Sequence, residues 1–159
     1  MTILKYFLLL FIFLLPKFCF AVNPGTTFAE LQWIAERIYE KNGFTVRPAV
    51  WNYINKIKCT DYEERIAYLF KSTWRACWVK HTRTNEDIVV FRGVHGFRNA
   101  LDKGFDASVF ERAVAHFDLE ISKWMRSDGL RPKIFVGHSA GGFFSEHVKK
   151  DLTDVYRVT

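Results

Sequence analysis

Apolar residues recur at two periods along this chain, and the change from one to the other divides it into elements. At helical spacing, Phe28, Leu31, Ile34, Ala35 and Ile38 fall on one face, behind a Thr27…Glu30 capping box and ahead of Asn42-Gly43, which predicts a helix to about Lys41. Thr60…Glu63 is a second such box, and Ile66, Leu69 and Phe70 behind it predict a second helix. Ser108…Glu111 opens the clearest one, Val109 to Ser127, with Phe110, Ala113, Val114, Phe117, Ile121, Trp124 and Met125 as its stripe and Gly129 as its stop. A shorter helical turn is expected over Val50 to Ile57.

The strands read differently. Trp74 to Thr82 alternates weakly and runs into the turn-forming stretch Arg83-Thr84-Asn85-Glu86. Asp87 to Phe91 is a continuous β-branched run, as expected of a strand buried on both faces. Lys133 to Val136 is another, and Asp154 to Thr159 starts a third. From residue 87 onward the order strand, helix, strand, helix, strand is the βαβ signature of an α/β fold with a parallel sheet. No internal repeat, low-complexity tract or linker interrupts it.

The first twenty-one residues carry a different pattern. Lys5 is followed by an apolar run from Tyr6 to Leu15, and Cys19-Phe20-Ala21 offers small residues at the positions a signal peptidase reads. That run is too short to span a bilayer, and Pro16-Lys17 interrupts it. A cleaved signal over 1–21 is expected, with an uncleaved anchor as the alternative. A single domain over 22–159 would then be secreted or periplasmic. Loss of Lys5 and Lys17 takes the formal charge from +6 to +4. This surplus is spread along the chain without a block of like charges, which argues against nucleic acid and allows weak attraction to an anionic membrane surface.

Export also changes the reading of the cysteines. Cys59 and Cys77 are compatible with one disulfide, worth on the order of 3 kcal/mol for a loop of this size, and equally with two buried thiols. Their spacing, without paired histidines, does not suit a metal, and no cofactor motif is present.

The chemistry gathers at residues 134–145. Gly137-His138-Ser139-Ala140-Gly141 follows a short apolar strand and precedes an apolar helix, the context of a nucleophile elbow. There a serine must ride a strained turn to project its hydroxyl, and Gly137 and Gly141 lack the Cβ atoms that would strike neighbouring backbone.

Taken with Ile88-Val89-Val90-Phe91-Arg92-Gly93 upstream, Gly137-His138-Ser139-Ala140-Gly141-Gly142 resembles the fungal-type (class 3) lipases of the α/β-hydrolase fold. The stretch Lys103-Gly104-Phe105 between the motifs fits as well. The resemblance covers roughly residues 74–159, with 22–60 as a loosely matching helical lead-in. It implies a partial α/β-hydrolase fold, a mostly parallel sheet flanked by helices, and hydrolysis of acyl esters of lipids without a cofactor. It also assigns roles: Ser139 as nucleophile, and the backbone N–H groups of Ala140 and Val94 as oxyanion donors. Val94 stands where the family usually has Ser or Thr, which removes a helping hydroxyl.

In this fold the triad acid and histidine follow the serine in the chain. The expectation here is that the chain ends before them, so that it is either a lipase-like hydrolase or a non-catalytic remnant of one. No partner protein is identifiable. His147 lies about 12 Å along the helix from Ser139 at 1.5 Å per residue, and Glu146 points elsewhere on that helix. His138 is the variable elbow residue, expected to pack on the sheet. His81 and His116 read as a strand-end and a helix-face residue, which leaves His95 near the site mouth without an orienting carboxylate. Phe97, Phe105, Phe143 and Phe144 suit an acyl pocket and core packing equally.

Overall fold

A computed structural model describes residues 25–38, 54–67, 70–93 and 107–159. Its elements in chain order are α1 (Phe28–Arg37), β1 (Ile54–Ala67), β2 (Phe70–His81), β3 (Asp87–Arg92), α2 (Ala107–Lys123), β4 (Pro132–His138), α3 (Ala140–His147) and β5 (Tyr156–Val158). One sheet runs in sequence order, β1-β2-β3-β4-β5. The β1–β2 and β2–β3 pairs are antiparallel, and β3–β4 and β4–β5 are parallel. The expected mostly parallel sheet is therefore corrected to a mixed one. Its parallel half is the βαβαβ stretch from residue 87, where helices intervene, and its antiparallel half is made by strands that a turn can join.

That antiparallel half replaces two expected helices. Thr60…Glu63 lies inside β1 rather than at a helix start, and Ile54 to Ile57 belongs to the same strand rather than to a helical turn. Leu69 and residues 50–53 lie outside the described residues. The period decides it: Thr60, Tyr62 and Glu64 alternate with Cys59, Asp61 and Glu63, and the first set turns toward α2. Tyr62 stacks on Trp74 across the strand pair at 5.8 Å and meets the His116 ring at 5.3 Å. Glu64 accepts from the Tyr62 hydroxyl at 2.8 Å and pairs with Arg112 of α2. On the opposite face, Arg75 grips Asp61 at 2.6 and 2.8 Å. Cys59 sits directly across from Cys77 and forms a disulfide with it, their Cα atoms 4.1 Å apart. The bridge thus ties two neighbouring strands.

Both faces of the sheet are covered. Trp74, Trp78, Phe91 and Phe135 point to one side, where they bury Phe117 and Ile121 of α2 and Phe144 of α3. Val79, Ile88, Val90, Ile134 and Val136 point to the other and bury Leu31, Ile34 and Ala35 of α1. Every residue of β3 is buried, which explains its unbroken apolar run. Asp87 at its start is reconciled with burial by bonds from Trp78 Nε1 (2.9 Å) and the Arg131 N–H (2.9 Å), and by Lys80 at 3.2 Å.

The helix ends obey local rules unevenly. Thr27 caps α1 with the full reciprocal box. α1 ends at Arg37 with Ile38 as its cap, and the expected last residues to Lys41 lie outside the described residues. α2 starts at Ala107, so Ser108 is inside the first turn rather than ahead of it, and its hydroxyl accepts from Arg112 at 2.9 Å. A π-helical turn, Trp124–Asp128, follows α2 and stops at Gly129 in the left-handed conformation (φ 77°).

Candidate active site

β4 delivers the chain to a tight turn at Ser139. Its residues Ile134 to Gly137 are buried, and the backbone turns at Ser139 with φ 58° and ψ −130° before α3 begins at Ala140. A serine gains nothing locally from a positive φ, so neighbouring structure has to impose this conformation. The neighbours are the two glycines. A Cβ on Gly137 would lie 2.0 Å from the Gly141 carbonyl oxygen, and one on Gly141 would lie 2.2 Å from the carbonyl oxygen of Phe91 on β3. The spacing of two residues on either side of the serine is thus a packing requirement: strand, turn and helix approach backbone to backbone.

Ser139 is exposed at the carboxyl end of β4, and its carbonyl accepts from the Gly142 N–H at 2.9 Å. Ala140 supplies the first backbone N–H of α3. The end of β3 lies alongside, since Phe91 pairs with Gly137 and Arg92 with His138. The Gly93 nitrogen would stand 3.1 Å from a Cβ on Gly141. Val94, the other expected oxyanion donor, follows immediately but lies outside the described residues, as do His95, Phe97 and Phe105.

α3 is held from beneath. Ser145 is fully buried, and its hydroxyl reaches the carbonyls of Gly142 (2.8 Å) and Val158 (3.2 Å). Arg157 of β5 donates to the carbonyls of Val148 (3.0 Å) and Lys149 (2.6 Å) and also to that of Ser145, and it lies over the Phe135 ring at 4.8 Å. A cation bonded to the open carbonyls at a helix C-terminus satisfies both their hydrogen bonding and the dipole. Burial pushes this guanidinium below its ordinary pKa, and the carboxylates of Asp151, Asp118 and Glu146 act against that fall. Motif reading gave no signal for Arg157 or Ser145, because their partners are set by where β5 lands.

The described histidines have other engagements. His147 stacks on Phe143 at 4.0 Å, and its Nδ1 lies 2.8 Å from the Phe143 carbonyl. His116 faces Thr60 and Tyr62. His138 is exposed rather than packed on the sheet, as elbow position alone had suggested. Phe144 is wholly buried in the core, so it is not a pocket residue, while Phe143 is partly exposed and packs edge-on against Phe110 at 5.2 Å.

A cavity of about 540 Å³ opens on the α1 side of the elbow, between Phe28, Gln32 and Ala35 of α1 and Val136, Gly137 and His138 of β4. The position of α1 is fixed at its start by a polar clamp. Glu86, in the turn after β2, accepts from the Gly25 N–H (2.9 Å), the Thr26 N–H (2.8 Å) and the Thr26 hydroxyl (2.5 Å). Arg83 binds Glu30 at 2.8 Å, and the fully buried His81 lies 3.5 Å from Glu30. Burial alone would raise Glu30, but the Thr27 N–H, Arg83, the Thr27 hydroxyl and His81 together hold it at about 2. Glu86 is likewise held below its ordinary value against burial, by Thr26, Gly25 and Thr84. Burial lowers His81, with Glu30 opposing; its Nδ1 accepts from the Thr84 N–H at 3.2 Å, as suits a neutral ring.

No protein family, curated protein or solved structure matches the chain. Among the described residues, no three metal-binding side chains gather, and no helix is long and apolar enough to cross a membrane.

Proposed function

We propose that the chain is an exported serine hydrolase of α/β-hydrolase type, acting on acyl esters of lipids. The observation that carries this reading is the backbone of Ser139: an exposed hydroxyl on a positive-φ turn between a buried strand and a helix, with glycines whose missing Cβ atoms let that turn close. In the proposed reaction, Ser139 Oγ gives its proton to a base and bonds to the ester carbonyl carbon. The alcohol leaves with a proton, and water then cleaves the acyl–serine bond. The Ala140 N–H, with that of Val94, takes the developing oxyanion, each such donor being worth roughly 2.7–4 kcal/mol of barrier. His95, two residues beyond Gly93, is the first histidine to test as base. An unpatterned charge of +4 after signal removal suits transient contact with an anionic lipid surface.

The contacts of the described histidines favour a second reading, a non-catalytic chain of the same fold, because His81, His116 and His147 are engaged elsewhere. Loss of a triad partner typically costs 10⁴ to 10⁶ in turnover. The purified chain and its Ser139→Ala variant should be treated with a fluorophosphonate probe and with p-nitrophenyl esters. Hydrolysis and an adduct confined to the wild type support the hydrolase. A folded chain giving neither supports the second reading, and hydrolysis undiminished in Ser139→Ala refutes the role of Ser139.

A further inference from the structure

We propose that Arg75, Arg92 and His138 bind a phosphate group at the Ser139 end of the sheet. The strand register carries the case. Asp61 pairs with Arg75, Arg75 with Arg92, and Arg92 with His138, so four neighbouring strands set these side chains in one row. Cys77, Val90 and Val136 form the row beneath and face α1, and residues two positions along each strand face the same way. Neighbouring strands lie about 4.8 Å apart, which brings donors from β2, β3 and β4 within reach of one small ion.

Like charges directly opposite on neighbouring strands destabilise a sheet, yet Arg75 and Arg92 stand in that relation. Within the row, Asp61 answers one of them. Arg75 holds its two oxygens through Nε and Nη2 at 2.6 and 2.8 Å, which turns Nη1 away from that carboxylate. Arg92 is 8% exposed and its Nη2 reaches the Thr73 carbonyl at 3.5 Å, so burial fixes this guanidinium in advance of a ligand. The fields of the two arginines overlap: the Arg75 bonds hold Asp61 below its ordinary pKa against burial, and the charges of Arg75 and Arg92 add to that. A guanidinium fork suits either oxyanion, but a phosphate offers three or four oxygens to donors from three strands where a carboxylate offers two. Glu36 lines the neighbouring cavity with His138, which favours an ion seated toward β2 and β3 with His138 as its outermost donor. A free ion and a lipid head group share this chemistry. The lipid source rests on the hydrolase reading, because Ser139 follows His138 and an ester held by its phosphate would present its carbonyl there.

The test titrates inorganic phosphate and acetate by NMR, at fixed ionic strength, against the purified chain and its variants. Phosphate should bind at least about fivefold more tightly than acetate. Asp61→Asn releases the Arg75 fork and should tighten phosphate binding about three- to tenfold, whereas a merely structural ion pair predicts no gain. Asp154→Asn makes the same charge change near the opposite end of the sheet, where Tyr156 pairs with Ile134, and should alter nothing. Arg75→Gln should weaken binding at least about fivefold, and the double variant Asp61→Asn/Arg75→Gln keeps this measurement if the single one fails to fold. Ser139→Ala should bind as the wild type does, so a failed hydrolase reading leaves the phosphate site detectable. Vesicles of phosphatidylcholine with and without phosphatidic acid separate the sources. Co-sedimentation that needs phosphatidic acid and strengthens in Asp61→Asn supports a head group, and binding of inorganic phosphate without it supports the free ion. A folded Asp61→Asn that binds phosphate no more tightly, acetate that binds as tightly as phosphate, or phosphate binding that Arg75→Gln leaves unchanged would overturn the site.

Discussion

Replacing each glycine near the elbow with alanine separates close approach from every other reason for glycine. A carbon and a carbonyl oxygen settle no nearer than about 3.3 Å. The Cβ of Gly137→Ala would start 2.0 Å from the Gly141 oxygen, 2.2 Å from its carbonyl carbon and 2.7 Å from the Gly142 nitrogen. All three are backbone atoms of a helix pressed on the sheet, so relief needs a shift of about 1 Å in α3. Overpacking costs about 1–3 kcal/mol where side chains can yield, and this site should exceed about 3. Gly141→Ala meets the Phe91 oxygen at 2.2 Å and gains up to about 1 kcal/mol of helix propensity, so it should fall slightly below Gly137→Ala. Gly142→Ala meets the Thr159 Cβ at 3.3 Å, with the Thr159 Cα and the Gly137 oxygen at ordinary contact distances of 3.5 and 3.8 Å, and gains the same propensity, so it should lie within about 0.5 kcal/mol of wild type. Gly129→Ala has open space around it but a φ of 77°, and should cost about 1–2 kcal/mol. Urea titrations followed by circular dichroism measure all four. Gly137→Ala within 1 kcal/mol of Gly142→Ala would refute the backbone contact and with it the elbow.

Two further outcomes follow from the polar contacts. Arg157→Ala should cost about 2 kcal/mol in the same titrations, because it uncaps α3 and bares the Phe135 ring; a loss below 0.5 would show that water replaces the cap. The clamp on α1 should loosen in acid: the neutral His81 contributes fully above about 6.5 and progressively less below it, Glu30 contributes fully above about 4.5 and is lost as pH falls toward about 2, and the contribution of Glu86, also held down, fades as pH falls below about 4.5. The urea midpoint should decline from pH 7 to 3, less steeply in Glu86→Gln, and a flat profile would refute the clamp.

The close-packed turn at Ser139 was legible because its rule is local: Gly137, Ser139 and Gly141 satisfy a steric condition written within five residues. The β1–β2 hairpin was not, because Thr60…Glu63 copies a helix cap while the deciding partners, Trp74, Arg75 and Cys77, sit up to eighteen positions away. Burial of Tyr62 against Trp74 outweighs a box worth about 1 kcal/mol. Ser108 shows the same limit at smaller scale, since one turn later Arg112 claims its hydroxyl. The clamp and the Arg157 cap depend on residues brought together only once the sheet has formed. Glu86 and Thr26 are 60 positions apart, and no local pattern announces such a bond.

Ser139 carries strain, and its removal is the sharpest test of what the fold does for the site. A non-glycine residue at φ 58°, ψ −130° costs of order 1–3 kcal/mol, offset by contacts on every side: Gly141 against Phe91, Phe144 in the core, Ser145 bonded to β5 and Arg157 capping α3. None of these contacts uses the Ser139 side chain. Ser139→Gly should therefore keep them all and release the strain, while adding about 0.5–1 kcal/mol of unfolded-state entropy. The expected net is a gain of about 0.5–2 kcal/mol, together with loss of any phosphonate adduct. Ser139→Ala keeps the Cβ and hence the strain, so it should match wild-type stability within about 0.5 kcal/mol. If glycine destabilises the chain while alanine does not, the serine backbone is not strained, and the turn owes its shape to something other than the neighbours named here.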